Sequence, residues 1–545
     1  MTEGQPVGEQ SQIDTQVVIV GGGPVGLTLA IDLAQRGVRC VLVEKRTGPA
    51  FLPKMERCNA RSMEIYRRLG LSEAIRSAGS PATSSMDIGI VDDLAAELVL
   101  RFEYPSVDEA RREIAAAADG SLPLEPYQVI SQYTLEPLLL RRARELPGLD
   151  VLLGHELTGL KQDGGGVSAT VMSPRGELAV RGQFLVGCDG GRSAVRRELG
   201  FVLEGDGGIA ERNQILFRSK ELFRKHRAKP CRMYFFTNAD RTVLTVQDDP
   251  TYLRVNTSFA GDEDETARFL RDLLGLDVDL EILSVNKWKL HLLLASHFAH
   301  GRVFLAGDST RLVIPTGGLG LNTGIGDATD LAWKIAAAVD GWAGPRLLAS
   351  YEAERRPVSV RVVEASRYAH AGQRAWQSVL RPDIAPGLPE AEGVRRAMKY
   401  VARTSQRRTH EMAGIELGYT YAGSPIVAGQ DDPDLPDVPE VYIPTARPGA
   451  RLPHVWLEPG RPLHDELSRT AFSLLILAED GDGTPFERAF RALGAPLETH
   501  RLPRPDIARV YGAPAVLVRP DLHVSWRGVL SSADAGAIAS RATGH

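Results

Sequence analysis

The chain has 545 residues, of which 43% are hydrophobic and 24% charged, a globular balance that excludes a disordered, collagen-like or coiled-coil chain. Its length exceeds what one hydrophobic core usually organises, so we expect two or three domains. The 64 Lys and Arg residues against 69 Asp and Glu give a net charge of −5. Because the chain has no long basic run either, nucleic acid is not expected as a partner.

Cysteine usage and the amino terminus indicate the compartment. Cys40, Cys58, Cys188 and Cys231 lie far apart and form no C-x-x-C pair, so the sequence predicts neither a disulfide framework nor a metal site. The amino-terminal run is polar and acidic, unlike a signal peptide, and no apolar run reaches the length of a membrane span. We therefore expect a cytoplasmic protein without a membrane partner.

The first predicted elements form one β-α-β unit over residues 16–44. An apolar, β-rich run ends at a glycine turn, a helical pattern follows as far as Gly37, and a second strand ends at Glu44. Further helices are predicted over residues 59–69 and 132–145, with a polar stretch at 103–122 between them. Successive strands then fill residues 150–190.

The rest of the chain predicts an inserted domain and a separate carboxyl-terminal one. Residues 205–295 are strand-rich and aromatic, after which a buried strand, a glycine-rich turn and a long helix return. Residues 424–440 concentrate Pro and Asp and leave little to bury, which predicts a linker. Beyond it, the pattern is β-α-β-β, with residues 519–522 as the hairpin connection.

Three glycine-containing segments carry candidate chemistry. Gly21, Gly23 and Gly26 form G-x-G-x-x-G between the predicted strand and helix, and Glu44 ends the next strand. Such a turn lets backbone N–H groups and the helix N-terminus face a pyrophosphate, while the carboxylate binds ribose hydroxyl groups. The glycines would alternatively serve only to pack helix on strand, but the complete β-α-β context favours dinucleotide binding.

The other two segments are weaker when taken alone. Asp189-Gly190 closes a buried strand and opens a helix, which is commonly just a turn. Asp308 ends another strand, and the glycine-rich residues 315–324 open a helix with one apolar face. A helix N-terminus aimed at a flavin would stabilise the negative charge of the reduced ring, and Asp308 would bind ribityl hydroxyl groups. The alternative for this last segment is a packing loop.

Together, in this order and separation, the three segments resemble the FAD-dependent aromatic hydroxylases, single-component flavoprotein monooxygenases of the p-hydroxybenzoate hydroxylase fold. Residues 60–64, 131–136 and 351–357 are similar to further motifs of that family. Residues 449–454 and 515–521 resemble the larger members that act on phenols or polyketides and carry a thioredoxin-like carboxyl-terminal domain. The resemblance covers nearly the whole chain.

The resemblance implies an α/β and α+β fold class, with a Rossmann-like FAD-binding domain, an inserted β-sheet substrate domain and a thioredoxin-like domain. The expected boundaries are 14–204 and 297–423 for the FAD-binding domain and its helical region, 205–296 with parts of about 80–125 for the substrate domain, 424–440 for the linker and 441–545 for the last domain. That last domain has no cysteine for redox work, so packing or dimerisation is its expected role, and a homodimer is expected.

The same resemblance implies the reaction. NADPH or NADH would reduce FAD as a transient reductant, O₂ would add at flavin C4a, and the distal oxygen of the hydroperoxide would attack an electron-rich ring of a small phenolic or polycyclic, polyketide-like aromatic substrate. Residues carried over as FAD-binding are Gly21, Gly23, Pro24, Val25, Gly26, Glu44, Lys45, Arg57, Gln132, Asp189, Asp308, Pro315, Gly318, Gly320, Leu321 and Asn322.

Residues that would act on the substrate are harder to select. Pro315, Tyr234 and His291 are the candidate catalytic residues, with Asp248 and Tyr252 as further candidates for accepting or polarising a phenol proton. A single Tyr or His in an apolar strand is more often a core residue. The same holds for the candidate pocket aromatics at residues 235, 236 and 288.

One departure from the family pattern concerns Arg311. Many members continue Gly-Asp with Ala-Ala-His, whereas Ser309, Thr310 and Arg311 follow here. We expect Arg311 either to form a surface salt bridge or to alter the electrostatics around the flavin ring.

Different features of the sequence bear on each alternative function. A Baeyer–Villiger or N-oxidising enzyme would use the same fold, and the sequence does not distinguish it from a hydroxylase. A flavin halogenase is disfavoured because no W-x-W-x-I-P segment occurs. A plain NAD-dependent dehydrogenase would explain the first β-α-β unit but not Asp308 and the glycines after it. A redox module is opposed by the missing cysteines of residues 441–545.

Overall fold

The computed structural model describes residues 11–51, 54–227, 229–238, 242–381, 388–429 and 435–545. In chain order, the first part forms β1 (Ser11–Asp14), β2 (Val17–Val20), α1 (Pro24–Gln35), β3 (Cys40–Glu44), β4 (Arg57–Cys58), α2 (Ala60–Arg68), α3 (Ser72–Ala78), β5 (Ile88–Val91), β6 (Leu100–Phe102), α4 (Val107–Ala116), β7 (Gln128–Val129), α5 (Gln132–Glu145), β8 (Leu149–Leu153), β9 (Glu156–Asp163), β10 (Gly166–Ser173), β11 (Gly176–Gly182), β12 (Phe184–Gly187) and α6 (Ala194–Glu198).

The middle part forms β13 (Leu203–Asp206), β14 (Glu211–Arg218), α7 (Leu222–Lys225), β15 (Met233–Phe236), β16 (Val243–Val246), β17 (Tyr252–Thr257), α8 (Glu263–Leu274), β18 (Glu281–Lys289), β19 (Leu292–Ala295), β20 (Ala299–His300), β21 (Val303–Leu305), β22 (Arg311–Leu312), α9 (Leu319–Val339), α10 (Pro345–Gln377), α11 (Pro389–Ser405) and α12 (Ala413–Leu417). The last part forms β23 (Trp456–Glu458), β24 (Arg461–Pro462), α13 (Leu463–Glu466), β25 (Phe472–Ile476), α14 (Thr484–Ala492), β26 (Leu497–Arg501), α15 (Pro505–Tyr511), β27 (Ala515–Val518), β28 (Val524–Gly528) and α16 (Ala535–Ala542).

A mostly parallel sheet forms the base of the cofactor region. Its strand order is β20-β21-β12-β2-β3-β8, with only β20 running antiparallel to its neighbour. The strands β2, β3 and β12 are continuous apolar runs because both faces of the sheet are buried. This confirms the predicted β-α-β unit, and it brings the carboxyl ends of β2, β12 and β21 together at one edge.

A seven-stranded sheet stands over that edge. Its order is β18-β14-β17-β16-β15-β5-β6, so β5 and β6 join strands that come more than a hundred residues later. Helix α8 covers one face, where Leu270 and Leu274 pack against Tyr234 and Phe236. The opposite face turns towards the long helices α10 and α11. The domain boundaries themselves stay predictions.

The carboxyl-terminal region has a thioredoxin-like fold. The sheet order is β26-β25-β27-β28, with β25 parallel to β26 and antiparallel to β27. Helices α14 and α16 pack on one face together with Trp333 of α9, and α15 packs on the other. The sequence analysis missed β26, which is mostly polar, and α15, which with seven residues is too short to show a clear helical period.

Two short segments differ from the sequence prediction. Residues 107–116, inside the polar stretch, form α4, which starts with a capping box between Ser106 and Glu109. The predicted linker is corrected in its first part, because Ile426 and Val427 are fully buried and the Ala428 N–H donates to the Ser525 carbonyl group at 2.9 Å. The short apolar run of Ile426 and Val427 therefore holds this segment against the rest of the protein. Residues 430–434 of that prediction lie outside the described residues.

Helices α9 and α10 span 21 and 33 residues and cross the centre of the molecule. They carry buried charged side chains such as Lys334 and Arg355. Within the described ranges, no helix combines the length and the apolar composition needed to cross a membrane.

Candidate active site

The first glycine turn lies between β2 and α1 and is shaped by close backbone approaches. A Cβ atom on Gly21 would lie 2.4 Å from the Cys188 carbonyl oxygen, and one on Gly26 would lie 2.0 Å from the Gly21 carbonyl oxygen. Gly23 differs, because a Cβ there would meet nothing within 4 Å. Gly21 and Gly26 therefore allow the backbone to pack closely, whereas Gly23 borders open space directly before the N-terminus of α1.

Glu44 closes this turn from the end of β3. One carboxylate oxygen accepts a hydrogen bond from the Gly22 N–H at 2.6 Å, and the other accepts from the Arg46 backbone and Nε, both at 2.9 Å. Burial opposes ionisation, but the hydrogen bonds from Arg46 and Gly22 lower the pKa of Glu44 overall. The carboxylate stays charged and lines a recess of about 250 Å³.

The same recess contains a polar relay that reaches α5. Arg46 bridges Glu44 and Glu136, with 3.4 Å to the latter, and Gln132 donates to Glu136 at 2.5 Å. The Lys45 side chain is 69% exposed, with its ammonium group 3.9 Å from Glu156, and its contact with the cofactor stays a prediction. Successive strand residues point to opposite sides, so Arg46, two positions after Glu44, takes the inward place.

The N-termini of α1 and α9 meet across Val25. A Cβ on Gly307 would lie 3.1 Å from the Val25 side chain, and one on Gly324 would lie 2.7 Å from it. The side chain of Val25 therefore serves helix packing, and only its backbone is left to face a ligand. Pro24 occupies the first helical position, where its missing N–H costs nothing. Two helix N-termini, each with unpaired N–H groups, are thus held side by side.

Asp308 lies at this junction, in a 3₁₀ turn after β21. The Gly307 N–H before it donates to Asp327 at 3.1 Å, which fixes the turn. The Asp308 side chain is exposed towards the cleft, while protein encloses its inner side. This burial raises the pKa of the Asp308 carboxyl, and Arg311 and Lys54 partly offset it. An acceptor for hydroxyl groups is therefore exposed on the turn that packs against Val25.

The second glycine turn precedes α9. Gly317 and Gly318 have φ values of 93° and 66°, which only glycine adopts readily, and the Gly318 N–H donates to the Pro315 carbonyl group at 2.9 Å. Arg57 donates to the Gly317 carbonyl group at 3.2 Å and pairs with Glu416 at 2.9 Å. Burial raises the pKa of Glu416, although Arg57 lowers it. The Arg57 guanidinium therefore lies at the second turn.

Asn322 has a structural use in this turn. Its carbonyl oxygen accepts from the Asn59 N–H at 2.9 Å and the Ser62 hydroxyl group at 2.7 Å, and its NH₂ group donates to the Arg57 and Gly318 carbonyl groups. Since all these bonds stay within the protein, the Asn322 side chain anchors α9, and the contact of Asn322 with the cofactor stays a prediction. Gly320 and Leu321 are partly buried in the same first turn of the helix.

Asp189 caps α6 at the end of β12. One oxygen accepts from the Ala194 and Val195 N–H groups at 2.6 and 3.2 Å, while the other is buried without a protein partner. The Asp-Gly segment is therefore at least a helix cap, and its contact with a cofactor stays a prediction.

A buried ionic cluster connects this site to the seven-stranded sheet. Glu56 pairs with Arg232 at 3.2 Å and also with Arg254 of β17. Burial opposes ionisation of Glu56, but Arg254, Arg232 and Arg57 lower its pKa overall. His410 lies beside the cluster, where burial and the charges of Arg232 and Arg57 hold its pKa well below the usual range. The space over the second turn is therefore positively charged.

Comparison with known proteins assigns the family. The profile of the FAD binding domain family matches residues 14–366, and that of the aromatic-ring hydroxylase carboxyl-terminal domain matches residues 445–544. The chain belongs to the FAD-dependent aromatic hydroxylases. The sequence resemblance is confirmed, and FAD is the cofactor of this family.

Two relatives and one solved structure resemble this hydroxylase over almost its whole length. The FAD-dependent monooxygenase apdD of Emericella nidulans is 36% identical, covering 97% of this chain and 90% of the relative. A putative polyketide hydroxylase of Streptomyces halstedii is 34% identical, covering 94% and 93%. The structure of RebC with bound 7-carboxy-K252c superimposes with a TM-score of 0.87 at 34% identity, covering 98% of this chain and 100% of RebC.

The residues of the hydroxylase fit FAD. The open space at Gly23, the ionised Glu44 and the outward-facing Asp308 supply an N–H cradle and two acceptors for hydroxyl groups. The relay of Arg46, Glu136 and Gln132 borders the same recess as Glu44.

The prediction that Tyr234 is a catalytic residue is wrong. The hydroxylase places Tyr234 on the α8 face of the sheet, fully buried, where its hydroxyl group accepts from the Cys231 N–H at 2.8 Å. Side chains alternate along β15, so Met233 and Phe235 point to the opposite face, towards His410 and Trp376. Phe236 also belongs to the α8 core, which excludes it from a pocket on the other face.

The other substrate-side candidates are spread apart. Asp248 accepts from the Ser131 hydroxyl group at 2.7 Å and stands at the start of α5. Tyr252 has Phe51 at 6.0 Å and Arg218 at 5.5 Å from its ring. His291 accepts at Nδ1 from the Gly208 N–H at 3.1 Å. Trp288 packs at the edge of a small core with Leu290. Catalytic roles for His291 and the exposed Pro315 stay predictions.

Arg311 does not form a surface salt bridge. It is 1% exposed and pairs with Asp327 at 2.8 Å, and it also donates to Thr310 and Ser359. Asp327 in turn binds Arg355 and the Gly307 N–H. The arginine that replaces the family's histidine therefore braces the turn that carries Asp308.

Sequence reasoning missed Arg46, Glu136, Glu56, Arg232 and Glu416. Glu136 follows Gln132 by one helical turn, a spacing that places both on one face, so the helical pattern could have indicated it as a site residue. The pairs of Arg57 with Glu416 and of Glu56 with Arg232 join residues 359 and 176 positions apart, which no local pattern indicates.

Proposed function

We propose that this hydroxylase consumes NADPH or NADH and O₂ and hydroxylates a phenolic or polycyclic, polyketide-like aromatic substrate. One observation carries the proposal: the first turns of α1 and α9 pack together at Val25, Arg57 lies at the turn before α9, and the ionic cluster beside Arg57 reaches the seven-stranded sheet through Arg232 and Arg254. Positive potential from the helix ends and the guanidinium group would stabilise a reduced, anionic flavin ring.

The cofactor side would be held by residues of the two turns. The backbone at Gly23 would receive the pyrophosphate, Glu44 a ribose and Asp308 the ribityl chain. When bound, FAD would accept a hydride from the nicotinamide and deliver one oxygen atom of O₂ to the ring. Arg46 would orient Glu44, and Glu416 would keep Arg57 directed at Gly317.

The substrate side would use the sheet face opposite α8. Met233 and Phe235 supply apolar surface there, and Arg232 and Arg254 supply positive charge within the Glu56 cluster. A flat aromatic ring suits apolar contact, and a phenol that loses its proton suits nearby cations. The family of ring hydroxylases and the polyketide hydroxylase relative support this substrate class.

The test follows flavin reduction in the purified holoenzyme. The flavin absorbance band is recorded under anaerobic NADPH or NADH, with a panel of phenols and aromatic polyketides. We expect one panel member to accelerate reduction at least 10-fold, and in air to gain one oxygen atom from ¹⁸O₂. No reduction by either nicotinamide would overturn the proposal. An oxygen inserted beside a carbonyl group, or placed on nitrogen, would assign the Baeyer–Villiger or N-oxidising alternative.

Two neighbouring positions provide a matched pair of variants. Phe235→Leu changes the face that α10 and α11 cover, beside His410, where we propose that the substrate binds, so we expect KM for the accepted aromatic compound to rise about 10-fold, a loss of about 1.4 kcal/mol. Tyr234→Phe changes the α8 face and should leave KM unchanged. Equal effects of the two substitutions would contradict the placement of the substrate.

A further inference from the structure

A second recess lies far from the two turns, where α1, α2 and α9 meet the thioredoxin-like region. It is small and partly open to solvent, and it is lined by Asp32, Arg36, Arg61, Ile65, Arg68, Leu69, Thr329, Arg469, Pro520 and Asp521. Asp32 and Arg36 lie about 12 to 18 Å along α1 from its first turn, at 1.5 Å per residue. The recess is therefore separate from the FAD-binding residues.

Four guanidinium groups and two carboxylates line this recess. Asp521 is held by Arg519 at 2.6 Å, and Asp32 is paired with Arg36 at 2.8 Å. Arg61 lies 3.4 Å from Glu64, whose oxygens are bound more closely by Arg451. The positive charge of the arginines is therefore only partly neutralised by carboxylates.

Arg68 shows this excess most clearly. Its hydrogen bonds go to the backbone carbonyl groups of His464, Leu467, Ser468 and Pro520, which carry only partial charge. Burial, together with Arg36, Arg469 and Arg61, lowers the pKa of Arg68 to about 9. Burial is the larger cause and the neighbouring arginines add to it, so a negative ion beside Arg68 would offset part of this cost.

Two buried donors in the lining also have no partner. Arg61 Nε and Thr329 Oγ1 make no hydrogen bond in the structure, although their residues are only 5% and 9% exposed. Helical threonines elsewhere bond the carbonyl group four residues earlier, as Thr28, Thr323 and Thr543 do at 2.7 to 2.8 Å. The hydroxyl group of Thr329 forgoes that bond, so both groups await an acceptor.

We propose that this recess binds a small inorganic anion, which accepts hydrogen bonds from Arg61 Nε and Thr329 Oγ1 and neutralises the arginine cluster. Since α1, α2, α9 and the thioredoxin-like region all contribute, the anion would fasten that region to the FAD-binding part. Chloride and phosphate share the required chemistry, and the experiment distinguishes them.

The test measures thermal unfolding of the full-length, FAD-saturated protein at constant ionic strength. Sodium gluconate is replaced stepwise by sodium chloride in one series and by sodium phosphate in another. We expect one of the two to raise the unfolding midpoint saturably, by about 2 °C or more, because a ligand of the native state stabilises it. Equal midpoints in all three salts would overturn the proposal.

Thr329→Val is the deciding variant, since it keeps the shape of the side chain and removes the donor. In gluconate it should be at least as stable as the natural protein, because it deletes an unpartnered hydroxyl group. With the effective anion its apparent affinity should fall at least 10-fold. Thr543→Val, whose hydroxyl group already bonds Ala539, is the control and should keep the full response.

A structural measurement completes the test. Crystals grown or soaked in bromide should show an anomalous peak beside Thr329 and Arg61 in the natural protein and none there in Thr329→Val. Unchanged anion response in that variant, or a water molecule at the position under saturating anion, would overturn the assignment.

Discussion

The two glycine turns of this hydroxylase place equivalent helix N-termini, but different parts of the chain hold them. The first turn is fixed by backbone contacts, because Gly21 lies close to the Cys188 carbonyl group and Gly26 lies close to the Gly21 carbonyl group. The second is fixed by side chains from elsewhere, with Asn322 bound to Asn59 and Arg57 bound to Glu416. The first turn therefore depends on local spacing and the second on the assembled fold.

The difference shows where substitutions should act. Asn322 and Asn59 are 263 positions apart, and α2, which Asn59 caps, is itself clamped to the thioredoxin-like region through Glu64 and Arg451. That region thus supports the second turn through α2, a role that packing alone would not reveal. Substitutions in the first turn should therefore disturb only that turn, whereas the second turn should also be disturbed by substitutions at distant positions.

The largest effect is expected from Gly26→Ala. The new Cβ would lie 2.0 Å from the Gly21 carbonyl oxygen, which cannot yield without opening the turn. We expect a loss of about 3 kcal/mol in the free energy of unfolding and protein purified without flavin, as measured by urea unfolding and by absorbance.

Gly23→Ala is the control for this substitution. Its Cβ would meet nothing within 4 Å, so the protein without flavin should unfold at an unchanged urea concentration, while FAD affinity falls. If both variants lost stability equally, the assignment of Gly23 to the ligand space would be wrong.

Acid should test the clamp behind the second turn. Burial opposes ionisation of Glu64, but Arg451 lowers its pKa to about 2. A lowered pKa stabilises the native state above the unfolded value near 4.3 and loses that contribution as pH falls towards 2. The contribution is about 3 kcal/mol, so Glu64→Gln should flatten the decline in unfolding free energy below about pH 4.5.

The comparison variant for the acid experiment is Glu145→Gln, which removes one carboxylate whose side chain is 55% exposed on α5. Urea unfolding at several pH values between about 3 and 6 measures both. The same pH slope in Glu64→Gln and in the natural protein would contradict the clamp.

Asn322→Ala should act on the second turn directly. It leaves the buried Asn59 N–H and Arg57 carbonyl group without their partners, at a cost of about 2 kcal/mol. We also expect slower flavin reduction, because the first turn of α9 and Arg57 lose their common anchor. Asn213→Ala, which removes the bond to the Phe259 carbonyl group in the seven-stranded sheet, should lower stability without slowing reduction.

The sequence predicted the elements that depend on local pattern. Periodicity located α5 from Gln132 to Glu145, and the glycine spacing located the turn before α1. It did not locate β26, where Leu497 is the one apolar residue of five, or α15, which with seven residues is too short to show a clear helical period. Their positions are decided by packing against β25 and the core around it.

For the candidate site, the sequence identified backbone features better than side chains. Glu44 ends β3 as predicted, whereas Asp308 lies in the 3₁₀ turn three residues after the end of β21. Tyr234 was assigned to the wrong role because its face of the sheet is decided by α8, which packs from outside the strand. Lys45 and Arg46 differ by one position, and only the observed strand direction separates them.

The smallest effect, expected from Arg46→Gln, tests the first turn without disturbing its backbone. The substitution removes the guanidinium group that bonds Glu44 at 2.9 Å, so the pKa of Glu44 should rise and FAD affinity should fall about 10-fold, or about 1.4 kcal/mol. Lys45→Gln changes the neighbouring charge, whose side chain is 69% exposed, and should leave FAD affinity unchanged. Flavin titration of the apoprotein measures both. A larger effect from Lys45→Gln would return that residue to the cofactor site and show that the strand end turns the other way when FAD binds.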